Sequence, residues 1–197
     1  MRGQAFFSGL LIGLGAAGFL ALGGIPGAVI FAFGLIGVVL MGIPLYTGKA
    51  GVITDIWKLL EIWFWNVLGC VFIALILHFS QAGYDVNAMD IVAGRYDAGF
   101  LPSFVRAIGC GLIIDIAAWM YKRYGSILPV LFGVPLFILC GFYHSIADVV
   151  YIVASWDWNW EDLCWYYPAI FLGNYVGCNI RRLVLWGSNK KDVTPQV

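Results

Sequence analysis

The chain has 197 residues, of which 62% are hydrophobic and 11% are charged, and its formal net charge is zero. Because charged residues make up about 25% of a typical soluble domain, this composition excludes a soluble globular protein and predicts an integral membrane protein. We therefore expect the lipid bilayer as its surroundings and no nucleic acid among its partners.

Six apolar stretches follow one another along the chain. A helix needs about 20 apolar residues to cross a bilayer, so these stretches predict six transmembrane helices in a single membrane domain over residues 1–197. Only Ile25 and Pro26 separate the first two stretches, which argues against a cleaved signal peptide. The stretches are 6–24, 27–46, 62–79, 100–119, 128–144 with a continuation to 155, and 163–180.

Two of the predicted helices contain helix-breaking residues. In the second helix, Pro44 removes a backbone donor close to Gly48, and we predict a break over residues 45–49. In the fifth helix, Pro135 precedes a second predicted break over residues 141–145. Irregular backbone at membrane depth is tolerated only where it is buried in protein or lines a wet cavity. The breaks therefore favour a pore or solute site over a passive membrane anchor.

The first half of the chain is repeated in the second. A Phe-Gly pair and a later glycine at 33–42 recur at 132–141, and Asn-Val-Leu-Gly-Cys at 66–70 recurs as Asn-Tyr-Val-Gly-Cys at 174–178. Three spans in each half give the halves opposite orientations, which is the inverted-repeat architecture of membrane transport proteins. The predicted units are 1–99 for the first repeat, 100–186 for the second repeat and 187–197 for a cytoplasmic tail.

Basic residues are distributed unevenly between the two predicted membrane faces. With the N-terminus in the cytoplasm, nine of the eleven lie inside and only Arg95 and Arg106 lie outside. The positive-inside rule then predicts a multi-pass protein of the inner (plasma) membrane with both termini in the cytoplasm. The polar segment 81–99 is expected to be a long external loop. The five cysteines include no close pair, so we predict no disulfide framework, metal site or cofactor.

Ionisable side chains within the predicted spans are candidate functional groups, because placing them in a membrane is costly. His144 lies at the second break, and histidine changes charge near physiological pH. A neutral histidine bonded to a neighbouring carbonyl is the alternative. Asp148 lies beside the same break. For Asp115, a structural pairing with a lysine or arginine of a neighbouring helix is an alternative to a role in transport.

Four motifs resemble those of the formate/nitrite transporter family. Residues 42–48, Gly-Ile-Pro-Leu-Tyr-Thr-Gly, resemble the family's Glu-Leu-Phe-Thr-Gly break. Residues 140–148, Cys-Gly-Phe-Tyr-His-Ser-Ile-Ala-Asp, resemble its Ser-Gly-Phe-Glu-His-Ser-Ile-Ala-Asn break, while 117–120 and 172–177 resemble parts of its fourth and sixth helices. The resemblance implies an all-α, aquaporin-like homopentamer in which each protomer has its own pore for a small anion such as formate, nitrite or hydrosulfide.

The resemblance also implies roles for individual residues. Thr47 corresponds to the threonine of the first break and His144 to a central histidine. Arg95 corresponds to a basic residue of the vestibule, and Asn174 to a pore-side asparagine. The residues that correspond to the apolar constriction are Phe31, Leu35 and Phe137.

Four positions depart from the family's pattern and bear on the substrate. Gly111 stands where the family usually has an asparagine, and Tyr143 stands where it has a glutamate. Asp148 and Lys49 each replace an asparagine, so an added anion and an added cation flank the two breaks. Lys49 either points into the pore or anchors the chain at the cytoplasmic interface.

The leading hypothesis is a channel or transporter for small monovalent anions that is proton-linked through His144, with Lys49 and Asp148 on the substrate pathway. One alternative is a pore for another small solute, such as hydrosulfide or a neutral weak acid. Another is a non-conducting membrane scaffold. An enzyme is not expected, because the sequence has no metal-ligand cluster, no nucleophile paired with a base and no glycine-rich phosphate loop.

Overall fold

The computed structural model describes residues 1–81, 83–156 and 158–185, and within these ranges all regular structure is helical. The predicted cytoplasmic tail, 187–197, lies outside the described residues. The helices are α1 (Arg2–Leu22), α2 (Gly24–Met41), α3 (Tyr46–Lys49), α4 (Ile56–Phe79), α5 (Tyr84–Tyr96), α6 (Phe100–Tyr124), α7 (Leu128–Leu139), α8 (Ala147–Ser155) and α9 (Trp160–Val184).

The length and composition of α1, α2, α4 and α6 are sufficient to cross a membrane. The helix α7 is apolar but has only 12 residues, because the fifth predicted span is divided between α7 and α8. The second predicted span is likewise divided between α2 and α3. The all-helical membrane architecture predicted from composition is confirmed, whereas six spans in two inverted repeats stay a prediction.

Glycines bring the long helices of each half into close contact. The helix α1 packs against α4, and α6 packs against α9. Gly69 of α4 lies so near the Phe6 carbonyl that a Cβ atom would overlap it, and Gly177 of α9 lies equally near the Ile108 carbonyl. Small residues allow such close backbone approach between membrane helices. Gly69 and Gly177 hold the same place in the repeated motifs, so the sequence repeat has a matching role in packing.

Helix packing explains Gly111, which is one of the four departures from the family's pattern. It lies on α6 where this helix contacts α9, and a Cβ atom there would overlap the backbone carbonyl of Asn174. The usual asparagine therefore has no room at this helix separation. Glycine at this position follows from the close packing of α6 with α9.

The polar segment 81–99 contains the helix α5 and is not the long loop that was predicted. Its buried side chains, Ala88, Val92 and Tyr96, recur at every fourth residue, and α5 packs against α8. This spacing gives a narrow apolar stripe on one helix face. The prediction was wrong because the many polar residues between these positions obscure the stripe. As a result, α5 brings Arg95 to the second break.

Candidate functional site

The first break divides α2 from α3. Gly42 follows the last residue of α2 with a φ of 64°, in the left-handed region that glycine adopts without steric penalty. Non-helical backbone then continues through Pro44 to the start of α3. The break therefore lies at residues 42–45 rather than at the predicted 45–49. The prediction was displaced because Gly42 ends the helix before Pro44 is reached, and the chain resumes helical geometry directly afterwards.

The second break divides α7 from α8. The helix α7 ends at Leu139, Gly141 has a φ of 70°, and α8 begins at Ala147. The predicted break over 141–145 lies within this interruption. Both breaks thus contain a glycine with a left-handed backbone soon after the end of the apolar helix.

One buried asparagine in each half fixes the backbone of a break. In the first half, Asn66 Nδ2 donates to the carbonyl oxygens of Ala5 at 2.7 Å and Pro44 at 3.2 Å. Its Oδ1 accepts from the Tyr46 N–H at 2.8 Å. These bonds join α1 and α4 to the first break and satisfy backbone groups that the interrupted helix leaves unpaired.

Asn174 makes the equivalent bonds in the second half. Its Nδ2 donates to the carbonyl oxygens of Ala107 at 2.8 Å and Tyr143 at 2.9 Å, and its Oδ1 accepts from the Ser145 N–H at 2.8 Å. The side chain is fully buried. Asn174 was expected to face the pore, but its amide is directed at the backbone of the break, which makes it a positioning residue.

The two breaks meet at Thr47 and His144, as the family resemblance implies. Thr47 Oγ1 lies 3.2 Å from His144 Nε2. His144 Nδ1 accepts from the N–H groups of Ile146 at 3.2 Å and Ala147 at 3.0 Å. Because Nδ1 is an acceptor, these bonds assign the neutral tautomer with the proton on Nε2. The Nε2–H therefore donates to Thr47, and both side chains are buried.

Aromatic rings pack beside this contact. The ring centroids of Phe31 and Phe137 lie 5.9 Å apart at an interplanar angle of 89°. The Phe137 centroid lies 5.9 Å from that of His144. Both phenylalanines are buried, and they occupy positions at which the resemblance implies an apolar constriction.

A cavity of about 290 Å³ lies on one side of these rings, and we call it the Arg95 cavity. Phe31, Phe137 and His144 contribute to its lining together with Arg95 and Asp148. Five of the nine predicted pathway residues, drawn from both halves of the chain, thus line a single cavity. It has room for several small solutes or waters, since liquid water occupies about 30 Å³ per molecule.

The Arg95 guanidinium is compensated by a carboxylate. Its Nη2 lies 3.2 Å from Asp148 Oδ1, and its central carbon lies 4.0 Å from the centroid of the Tyr143 ring. Asp148 also accepts a hydrogen bond from the Tyr166 hydroxyl, and Tyr143 accepts one from Arg106. Of the departures, Asp148 therefore offsets the charge of Arg95, and Tyr143 places its ring against the guanidinium.

A second cavity, of about 50 Å³, lies where α2, α3 and α6 meet, and we call it the Lys49 cavity. Its lining includes Leu35, Lys49, Tyr121 and Lys122. Leu35 lies one helical turn beyond Phe31 on α2, so the Lys49 cavity follows the Arg95 cavity along this helix. Lys49 lines this cavity, which favours the pore-facing interpretation over the anchor.

Two residues of the candidate site were not predicted from the sequence. Tyr166 and Lys122 reach it from α9 and α6, and nothing in their local sequence distinguishes them from interfacial residues. The alternative proposed for Asp115 is confirmed, because Arg181 Nε lies 2.6 Å from its Oδ2. Asp115 is therefore engaged in a structural ion pair between α6 and α9.

Comparisons with known proteins agree on one family. A family model described as formate/nitrite transporter matches residues 2–186. An uncharacterised transporter of Bacillus subtilis (strain 168) is 26% identical over 183 residues, which cover 80% of this chain and 68% of that protein. A formate channel of Bacillus thuringiensis is 27% identical over 205 residues, covering 89% and 79%. The nitrite transporter NirC of Escherichia coli (strain K12) is 26% identical over 153 residues, covering 67% and 56%.

Solved structures share the fold. One described as an FNT family ion channel has a TM-score of 0.85 at 22% identity, covering 95% of this chain and 89% of that one. Another, a pentameric formate channel with formate bound, has a TM-score of 0.76 at 22% identity, covering 93% of both chains. At this identity the likeness establishes the architecture alone.

Proposed function

Because the chain belongs to the formate/nitrite transporter family, we propose that it conducts small monovalent anions such as formate and nitrite through a pore within each protomer. The similar proteins named as a formate channel and a nitrite transporter support this substrate class. Members of the family are channels and transporters rather than enzymes.

The observation that carries the proposal is the pair of cavities on either side of one apolar constriction. Both helix breaks meet there through Thr47 and His144. Phe31 and Phe137 lie toward the Arg95 cavity, and Leu35 lies toward the Lys49 cavity. An alternation of polar cavity, apolar ring and polar cavity is the arrangement expected of a selective pore.

We infer that transport is linked to protons. Moving an ion of carboxylate size into a low-dielectric region costs several kcal/mol even after relaxation. A neutral acid avoids most of this cost, so protonation of the anion in a cavity lets the solute pass the rings of Phe31 and Phe137. The Nε2–H of His144 is positioned to donate a hydrogen bond to an oxygen of the solute in place of Thr47.

His144 has a second role in this proposal. To give up a proton and remain neutral, the imidazole must gain one at Nδ1, where the N–H groups of Ile146 and Ala147 now donate. Proton transfer from His144 Nε2 to the anion therefore requires that the turn at residues 144–147 opens and that Nδ1 takes a replacement proton from hydronium entering the Arg95 cavity, which His144 lines. In the closed turn His144 acts as a hydrogen-bond donor, and in the open turn it acts as a proton donor.

Assembly and orientation belong to the same proposal. The similar structure described as a pentameric formate channel supports a homopentamer. The distribution of basic residues supports an inner-membrane location with cytoplasmic termini. The Lys49 cavity would then open toward the cytoplasm and the Arg95 cavity toward the outside.

Flux into proteoliposomes tests the proposal. The parent protein is expected to carry formate and nitrite faster at low external pH than at neutral pH, while vesicles without protein carry neither at that rate. His144→Asn should flatten this pH dependence. His78→Asn is the matched control, because His78 is the other histidine of the chain and stacks on Trp156 away from the breaks. Identical pH profiles for His144→Asn and the parent would contradict the role of His144.

The Arg95–Asp148 pair favours a second candidate substrate. A compensated guanidinium attracts a free anion less than an unpaired one, which suits hydrosulfide entering as its neutral acid. Hydrosulfide uptake into the same vesicles separates this candidate from formate transport. If formate, nitrite and hydrosulfide all fail to cross, the non-conducting scaffold is the better description.

A further inference from the structure

The two lysines of the Lys49 cavity differ from the arginine of the other cavity in having no carboxylate partner. Among the described residues, neither Lys49 nor Lys122 forms an ion pair within 4.0 Å. Asp115, the carboxylate on the same helix face as Lys122, is engaged by Arg181. Lys49 and Lys122 are near enough to interact electrostatically. Two like charges at one cavity are unfavourable until an anion offsets them.

The two cavities differ in charge. Asp90 and Asp148 accompany Arg95 in the lining of the Arg95 cavity, and Arg106 donates to the Tyr143 hydroxyl beside it, so the formal charges there cancel. Lys49 and Lys122 are the charged residues lining the Lys49 cavity. The electrostatic energy of a negatively charged solute therefore decreases toward the Lys49 end of the proposed pore.

The size of the Lys49 cavity restricts what can bind. Its volume of about 50 Å³ exceeds the roughly 30 Å³ that one water occupies in the liquid. An anion of three or four heavy atoms fits in this volume. Lys49 is half-buried and Lys122 is exposed at the rim, so an anion bound between them keeps part of its hydration.

From these observations we propose that Lys49 and Lys122 form a binding site for one small monovalent anion at the Lys49 end of the pore, separate from the contact between Thr47 and His144. The proposal deepens the proposed function, because the site would load the solute on this side before the constriction. It gives the pore a higher affinity for anions from the Lys49 side than from the Arg95 side.

Bromide, a monovalent anion with anomalous scattering, tests the site directly. Crystals of the full chain soaked in bromide should show an anomalous peak between the Nζ atoms of Lys49 and Lys122. The peak should be absent from Lys49→Gln and present in the control Lys58→Gln, whose exposed lysine contributes to neither cavity. A parent crystal without this peak, or a peak that persists in Lys49→Gln, overturns the proposal.

Sided flux gives an independent test. In proteoliposomes of one orientation, Lys49→Gln should raise the half-saturation concentration of formate supplied from the Lys49 side about tenfold, and Lys122→Gln about threefold because its charge is more screened. Formate supplied from the Arg95 side should show an unchanged half-saturation concentration. Lys122→Arg keeps the charge and should restore the parent value.

The two tests separate the site from the proposed function. Equal half-saturation concentrations from both sides in the parent and in Lys49→Gln contradict the site even where formate flux is high. If the parent carries no formate, the proposed function fails, and the bromide peak still decides whether the lysines bind an anion.

Discussion

Replacing Asn174 with leucine tests whether this side chain holds the second break or lines the pathway. Leucine has a similar size but neither donates nor accepts, so the Ser145 N–H and the carbonyl oxygens of Ala107 and Tyr143 lose their partner. A buried polar group left unpaired costs about 1–3 kcal/mol. Since costs within one network are not additive, we expect a loss of about 4 kcal/mol in the free energy of unfolding.

Thermal unfolding of the purified protein measures this loss. For a chain of this size about 4 kcal/mol corresponds to a decrease of roughly 10 °C in the unfolding temperature. Formate and nitrite flux should decrease together, because a displaced break moves His144 for every solute alike. Asn66→Leu should give a similar loss, since Asn66 makes the equivalent bonds in the first half. Asn87→Leu, which removes one half-buried bond, is the mild control.

A different outcome is expected for Asn174→Leu if Asn174 contacts the solute. A pore-lining asparagine that contacts solute would change the ratio of formate to nitrite flux and leave the unfolding temperature near that of the parent. If Asn174→Leu behaves in this way, the assignment of Asn174 as a positioning residue is wrong.

Three further predictions concern packing, the constriction and assembly. Gly111→Asn restores the family's usual residue, but its Cβ overlaps the backbone of α9, so we expect a lower unfolding temperature; an unchanged temperature refutes the steric argument. Phe31→Ala removes one constriction ring and should increase formate flux while admitting the larger acetate ion, and unchanged flux for both shows that this ring does not limit passage. A C-terminal tag should resist protease added outside intact cells, and the purified particle should have fivefold symmetry; external cleavage or another symmetry contradicts the assembly.

The sequence was sufficient to predict that the second and fifth spans are broken, although the first break lies at residues 42–45 and was predicted at 45–49. Proline and glycine change backbone geometry through their own covalent structure, so their effect at Pro44 and Gly141 is local and can be predicted without a fold. The pairing of Thr47 with His144 required the family resemblance, because 97 residues separate them along the chain.

Other parts of the site depend on packing that no local pattern specifies. Asp148 is compensated only because α5 packs on α8 and brings Arg95 to it, and α5 itself was predicted as a loop. Lys122 joins Lys49 only because α6 passes the first break. Asn174 was assigned to the pore because the motif identifies the residue but not the direction of its amide, which follows from the positions of Ala107, Tyr143 and Ser145.

Asn66 and Asn174, each of which acts as a clamp on the backbone of one break, have a consequence for how such a chain can diversify. Each clamp holds main-chain atoms, and the side chains at Lys49, Tyr143 and Asp148 are not among the groups it binds. Substitutions at these three positions can therefore change the charge beside the breaks without removing the hydrogen bonds that hold the backbone. A chain can therefore share the architecture of an FNT family ion channel, with a TM-score of 0.85 at 22% identity, while Lys49, Tyr143 and Asp148 depart from the family's pattern beside both breaks.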